Sequence, residues 1–207
     1  IYACRALTPG EITVSSLKLR MATAVLPAEA TDQVMSVLHE VFPELRVAPS
    51  SLQVGFDNTG AMLHPIPMLL NAGRIESGES FLYYRSGITP AVAAAVEAAD
   101  QERVAVAAAY GVKAVSLMEW MSATYGVSGS SLYEMLQNNE AYAAIKAPAS
   151  LSNRFLTEDI PSGLVPLEAF GQLAGVATPA ICGTIDLANE LLGRDFRACG
   201  RNLKCLG

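Results

Sequence analysis

Thr89-Pro-Ala-Val-Ala-Ala-Ala-Val-Glu-Ala-Ala-Asp-Gln-Glu-Arg-Val-Ala-Val-Ala-Ala-Ala-Tyr110 reads as one long helix. Thr89 is a helix-capping residue type, and Pro90 falls at the first helical position, where a missing N–H costs nothing. Alanine has the best intrinsic helix propensity. The polar interruption Asp100-Gln-Glu-Arg103 carries no helix breaker, and Gly111 supplies a stop. Small side chains let neighbouring helices approach closely, so this segment is expected to be long, central and mostly buried.

The pattern continues outward in both directions. Downstream, shorter helices are expected at about 113–125, 130–138, 140–146, 166–175 and 178–192, with Pro179 in the first turn of the last. Upstream, Val34, Val37, Leu38 and Val41 mark one face of a helix over 30–42, with Thr31 and Asp32 available as caps and Pro43 as terminator. Residues 45–56 read as irregular or strand-like. In residues 11–26, Ile12, Val14, Leu17 and Leu19 alternate in part, which predicts a strand or hairpin. No internal repeat or linker divides the chain. The expectation is one mainly α domain over 1–207, with 1–26 as a small β-rich lead-in.

Composition narrows the function classes. The chain has 207 residues, 51% hydrophobic and 16% charged, with 14 Lys plus Arg against 20 Asp plus Glu, a net charge of −6. That supports a sizeable core and excludes a disordered chain. No basic stripe exists to neutralise phosphates, which argues against nucleic-acid and membrane-surface partners. No apolar run reaches the roughly 20 residues of a membrane span. Cys4, Cys182, Cys199 and Cys205 form no C-x-x-C pair, and with two histidines they predict reduced thiols, a cytoplasmic protein and no metal site. The chain opens at Ile1 directly into Tyr-Ala-Cys-Arg-Ala; this reads like the middle of a protein, and an upstream part is expected.

The chemistry-bearing motifs are few. There is no P-loop, G-x-S-x-G, H-E-x-x-H or G-x-G-x-x-G, and Gly126-Val-Ser-Gly129 reads as a helix–helix turn. His39, beside Glu40 on the 30–42 helix, reads as a partly exposed helical residue. His64 lies in Asn58-Thr-Gly-Ala-Met-Leu-His64-Pro65. A residue before proline is pushed away from the α conformation, so His64 is expected at a helix break with backbone groups open to a ligand. From spacing alone, a structural and a catalytic histidine both remain open. A second cluster is Asn153-Arg154-Phe-Leu-Thr-Glu158-Asp159-Ile-Pro161-Ser-Gly163. It could be an N-cap with a surface ion pair, worth about 0–1 kcal/mol. It could equally supply a carboxylate to fix an imidazole tautomer and a guanidinium fork for an anionic substrate. Spacing does not place Asp159 beside His64, 95 positions away.

Together, Asn58-x5-His64-Pro65, Tyr84, Gly87-Ile-Thr89-Pro90, Arg154-x4-Asp159-Ile-Pro161-x-Gly163-Leu-Val and Gly175-Val-x-Thr178-Pro179 resemble the opine dehydrogenase family. Within it, the chain is most similar to the bacterial carboxyethyl-norvaline dehydrogenase type. The resemblance runs from about residue 10 onward and covers the substrate-side domain. It implies a helical C-terminal domain resembling that of 6-phosphogluconate dehydrogenases, attached to an N-terminal Rossmann domain that binds NAD or NADP. It implies condensation of an amino acid with a 2-keto acid and reduction of the imine. It implies His64 as the catalytic acid–base, Asp159 as its partner, Arg154 and Asn58 on the substrate side, and a homodimer. No Rossmann fingerprint occurs in these 207 residues, so the chain alone is expected to be inactive. Two other readings stand beside this one: the helical domain of a ketopantoate reductase-like or hydroxyacid dehydrogenase, which would place a lysine at the catalytic position, and a non-catalytic dimerisation module.

Overall fold

In the computed structural model, which describes residues 2–203, the chain opens with an antiparallel hairpin of β1 (Tyr2–Thr8) and β2 (Glu11–Leu17). The expected strand in 11–26 thus finds its partner upstream of that stretch. Its apolar row does not face a core, because Ile12, Val14 and Leu17 are exposed. β3 (Met21–Thr23) pairs in parallel with β4 (Leu45–Val47), and the crossover carries α1 (Thr31–Val41). Neither proposed cap acts on α1. The N-cap is Ala30, and the Thr31 hydroxyl instead donates back to the Ala28 carbonyl. The irregular stretch expected at 45–56 resolves into β4 and α2 (Ser51–Phe56), whose first turn is held by Ser50 Oγ accepting from Gln53 N.

Helices then dominate. α3 (Gly60–Leu63), α4 (Pro65–Leu70) and α5 (Ala72–Glu76) lead to α6 (Pro90–Ala109), capped as expected by Thr89 accepting from Val92 N. Ala93, Val96, Ala99, Val106 and Ala107 of α6 are buried, and the helix touches α2, α3 and α4. The remaining helices are α7 (Leu117–Tyr125), α8 (Leu132–Asn138), α9 (Arg154–Thr157), α10 (Val165–Ala174), α11 (Pro179–Leu192) and α12 (Phe196–Cys199). Gly126 and Gly175, at φ +70° and +67°, close α7 and α10 in the left-handed conformation. The helix expected at 140–146 shrinks to a 3₁₀ turn, Glu140–Tyr142. Its continuation is taken by pairing with residues 81–83, through Tyr83 N to Ile145 O and Ala147 N to Phe81 O.

The polar interruption in α6 serves the other elements. Asp100 Oδ2 accepts from Leu117 N at the start of α7, and Glu102 accepts from Ala180 N and Ile181 N at the start of α11. Arg103 is fully buried. It donates to Asp100, to the Phe56 carbonyl and to the Val115 carbonyl. A buried charge is tolerated where it is paired and hydrogen-bonded. This network pins the turn after α2, which leads into Asn58.

Cys4, Cys182 and Cys199 are unpaired, and Cys205 lies outside the described residues. Among the described residues no helix is long and apolar enough to cross a membrane, and no group of three metal-ligating side chains assembles.

Candidate active site

His64 joins α3 to α4. Its backbone is helical, at φ −103° and ψ −56°, against the expectation for a residue before proline. The helical path survives because His64 N donates to Gly60 O and Met68 N donates to His64 O. The break is one of hydrogen bonding, since Pro65 and Pro67 offer no N–H to the preceding turn. A third anchor is Tyr83, whose hydroxyl donates to the His64 carbonyl at 2.6 Å.

Asp159 arrives from the other side of the sequence. Asn153 Oδ1 caps α9 by accepting from Phe155 N. After α9 the chain widens into a π turn at Ile160–Leu164, immediately following Asp159. Such turns are rare and are favoured at functional sites. Gly163 in this turn packs directly on α3: a Cβ there would lie 2.5 Å from the Ala61 Cβ and 3.3 Å from the Asn58 side-chain nitrogen. The glycine therefore lets the segment carrying Asp159 reach the helix leading to His64.

The result is a pair. His64 Nδ1 lies 2.7 Å from Asp159 Oδ2, with the side chains 19% and 12% exposed. Phe155 covers one imidazole face, its ring centroid 4.0 Å away and 5° from parallel. The carboxylate on Nδ1 fixes the tautomer and leaves Nε2 as the working nitrogen. Nε2 has no hydrogen-bond partner among the described residues. His64 borders a cavity of about 900 Å³, and Asn58 lies on the same wall.

The cavity carries the charge pattern of an anion site. Lys18, Arg20, Arg46 and Lys113 border it, against the single carboxylate of Asp57. Asp57 is already engaged, accepting from Gln53 Nε2 and Val115 N. Burial lowers the Lys18 ammonium from its usual value. Tyr84, Trp120, Tyr125 and Tyr142 form an aromatic wall. Tyr84 stacks on Tyr142 at 4.3 Å, and Tyr125 meets Tyr142 edge-on at 5.3 Å.

The structure joins His64, Asp159 and Asn58. Arg154 is not on the cavity wall: its side chain is 67% exposed and it pairs with Glu158 at 3.4 Å. His39 makes a contact from Nε2 to the Leu45 carbonyl and stands away from the site. Sequence reasoning missed Phe155, Tyr83, Tyr125 and Tyr142. Phe155 had one available signal, its place beside Arg154; the tyrosines had none, because only folding brings them together.

Comparison with known proteins places the chain in a family. Residues 47–192 match the model of the "NAD/NADP octopine/nopaline dehydrogenase, alpha-helical domain" family. An opine dehydrogenase of Arthrobacter sp. (strain 1C) is 40% identical over the whole chain, which spans 58% of that protein. Vitopine synthase of Allorhizobium ampelinum is 29% identical, with 98% of this chain covering 56% of the relative. An octopine dehydrogenase solved with NADH and L-arginine superposes with a TM-score of 0.73 at 24% identity, over 97% of this chain and 57% of that one. The apo structure of yersinopine dehydrogenase gives 0.69 at 17% identity, over 100% and 57%. The fold is shared with both structures, and the chain spans a little over half the length of each relative. A helical array around α6, a His-Pro turn paired to Asp159 and a family match over most of the sequence lead to one conclusion: the chain belongs to the octopine/nopaline dehydrogenase family and represents its alpha-helical domain.

Proposed function

We propose that this chain supplies the acid–base and substrate-binding side of an NAD(P)-dependent opine dehydrogenase, which condenses an amino acid with a 2-keto acid and reduces the imine. The observation that carries the reading is the His64 Nδ1–Asp159 Oδ2 contact of 2.7 Å, with Nε2 left free at the edge of a cation-rich cavity. Imine formation needs a base for the substrate ammonium and then an acid for the departing carbonyl oxygen. One imidazole does both in turn. It accepts a proton from the amine at Nε2 and returns a proton to the hydroxyl that leaves as water, while Asp159 supports the imidazolium through Nδ1.

When bound, the nicotinamide cofactor supplies the hydride. The described residues offer no Gly-rich strand–turn–helix for its pyrophosphate, and none of these side chains is assigned to it. The isolated chain is accordingly expected to be inactive. Arg154, one turn before Asp159, keeps its role as a proposed carboxylate anchor: its guanidinium is exposed and, among the described residues, is held by the long contact to Glu158. Asn58 is proposed to orient substrate from the same wall as His64.

A homodimer in the cytoplasm, through the single helical unit, completes the proposal. Exposed Leu70, Leu187 and Leu191 on α4 and α11 support the dimer. The hydroxyacid and ketopantoate-type readings are not favoured, since His64 stands where they would require lysine. A dimerisation role alone leaves the His64–Asp159 pair without a use.

The test follows NADH and NADPH oxidation by the full-length protein with pyruvate and L-amino acids, compared with His64→Ala. Oxidation that needs both substrates and falls by roughly 10²-fold or more in the variant supports the reading. Pyruvate consuming NADH equally well without an amine would point to a hydroxyacid dehydrogenase. Undiminished activity in the variant would remove His64 from the mechanism.

A further inference from the structure

Tyr84 is 3% exposed and borders the same cavity as His64. Its ring is fixed by the stack on Tyr142 and by an edge contact with Tyr83 at 5.0 Å. The neighbouring phenols are satisfied: Tyr83 donates to the His64 carbonyl, and Tyr142 bonds the Tyr125 hydroxyl. The Tyr84 hydroxyl, by contrast, bonds no described residue and is not sealed off, since Asn139 Nδ2 is the only fully buried side-chain polar atom without a partner among the described residues. A hydroxyl that opens to a cavity and bonds no protein group is available to a ligand there.

The surroundings favour a donor role. Tyr84 lies near enough to Asp159 and Arg154 to feel both charges, and burial pushes its phenol well above the usual tyrosine value. It is therefore a neutral O–H donor, lacking an acceptor, next to the His64–Asp159 pair. We propose that the Tyr84 hydroxyl is a substrate-binding group that donates a hydrogen bond to a substrate carboxylate oxygen in the His64 cavity. This rests on the enzymatic reading above, in which the amino acid and the 2-keto acid both bring a carboxylate. A bond from a hydroxyl to a carboxylate is charge-assisted and stronger than a neutral one.

Tyr84→Phe in the full-length protein removes the hydroxyl and keeps the ring. KM for one substrate is expected to rise roughly 10- to 100-fold with kcat within about threefold. A rise for pyruvate assigns the keto-acid carboxylate, and a rise for the amine assigns the amino-acid carboxylate. Titration calorimetry of each acid in the presence of NADH reports the same loss without turnover. The ligand-free variant is expected to keep its Tm within about 2 °C, because the hydroxyl makes no bond to the protein. A structural tyrosine predicts the opposite: a lower Tm and unchanged affinity for both acids, and that result overturns the proposal. A parent protein active with no amine–keto acid pair removes the enzymatic reading. The calorimetry then decides Tyr84 alone, and equal titrations of parent and variant, including binding to neither, overturn it.

Discussion

The imidazole of His64 and the ring of Phe155 lie parallel within 5°, their centroids 4.0 Å apart. Asp159 holds the same imidazole by its edge. Two contacts at right angles therefore fix the plane and the rotation of one side chain. Phe155→Leu keeps an apolar side chain and loses the flat face. The expected result is a fall of about tenfold in kcat, because small misplacements of a reacting group are expensive in rate. Steady-state kinetics and a thermal melt of the same preparation check it, and a loss of activity no larger than the loss of folded protein would count against it.

Asp159→Asn leaves a similar shape beside Nδ1 and removes the negative charge and the tautomer control. Activity is expected to fall by about 10²-fold or more. His64 and Asp159 act as a unit, so the double variant His64→Ala/Asp159→Asn is expected to be little worse than His64→Ala alone. Strictly multiplicative losses in this cycle would show that the two residues work separately.

Gly163→Ala places a methyl group 2.5 Å from the Ala61 Cβ. Relief requires the π turn and α3 to move apart, and both carry the pair. The expected cost is about 1–3 kcal/mol of stability, with an accompanying fall in kcat. Ala61→Gly in the same chain opens the space again and is expected to return most of both. Denaturant unfolding of the two single variants and the double variant measures it; an unmoved Gly163→Ala would disprove the close approach.

Glu168 on α10 is 5% exposed, and both its oxygens accept from Arg197 at 2.6 Å. Burial pushes its carboxyl up, and the Arg197 fork together with the Cys182 thiol more than offsets this, so it is held below the usual glutamate value. The folded value is thus below the unfolded one. The stabilisation is full above the ordinary glutamate range, near 4.3, and disappears as pH falls through the folded value. Arg197 is about one-third exposed, so Glu168→Gln is expected to cost about 1–3 kcal/mol at pH 7, less than a fully buried pair. Urea unfolding at pH 7 and near pH 3 should show the gap between parent and variant shrinking in acid; a constant gap would contradict the linkage.

The helical framework was legible because it rests on local signals. Thr89, Pro90 and the alanine run define α6 without reference to any other segment, and Gly126 and Gly175 stop helices through their own backbone freedom. The signals failed where a distant partner decided the outcome. Residues 145–147 pair with 81–83 instead of extending a helix. The apolar alternation of β2 marks a strand whose apolar side is exposed. The polar interruption of α6 looked incidental, yet Asp100, Glu102 and Arg103 anchor the starts of α7 and α11 and the turn before Asn58.

The sequence by itself determined the secondary-structure type, the central helix and the residue types able to move a proton, because caps, prolines, glycines and propensities act within a turn or two of the chain. The tertiary structure alone decided which of those residues form a site. It set Asp159 on His64 across 95 positions, laid Phe155 over the ring, put Arg154 outside the cavity wall and gathered Tyr84, Tyr125 and Tyr142 on it. The first of those relationships depends on how closely the π turn packs on α3, and that closeness follows from the missing side chain of Gly163 meeting Ala61, a contact between two segments that neither encodes alone.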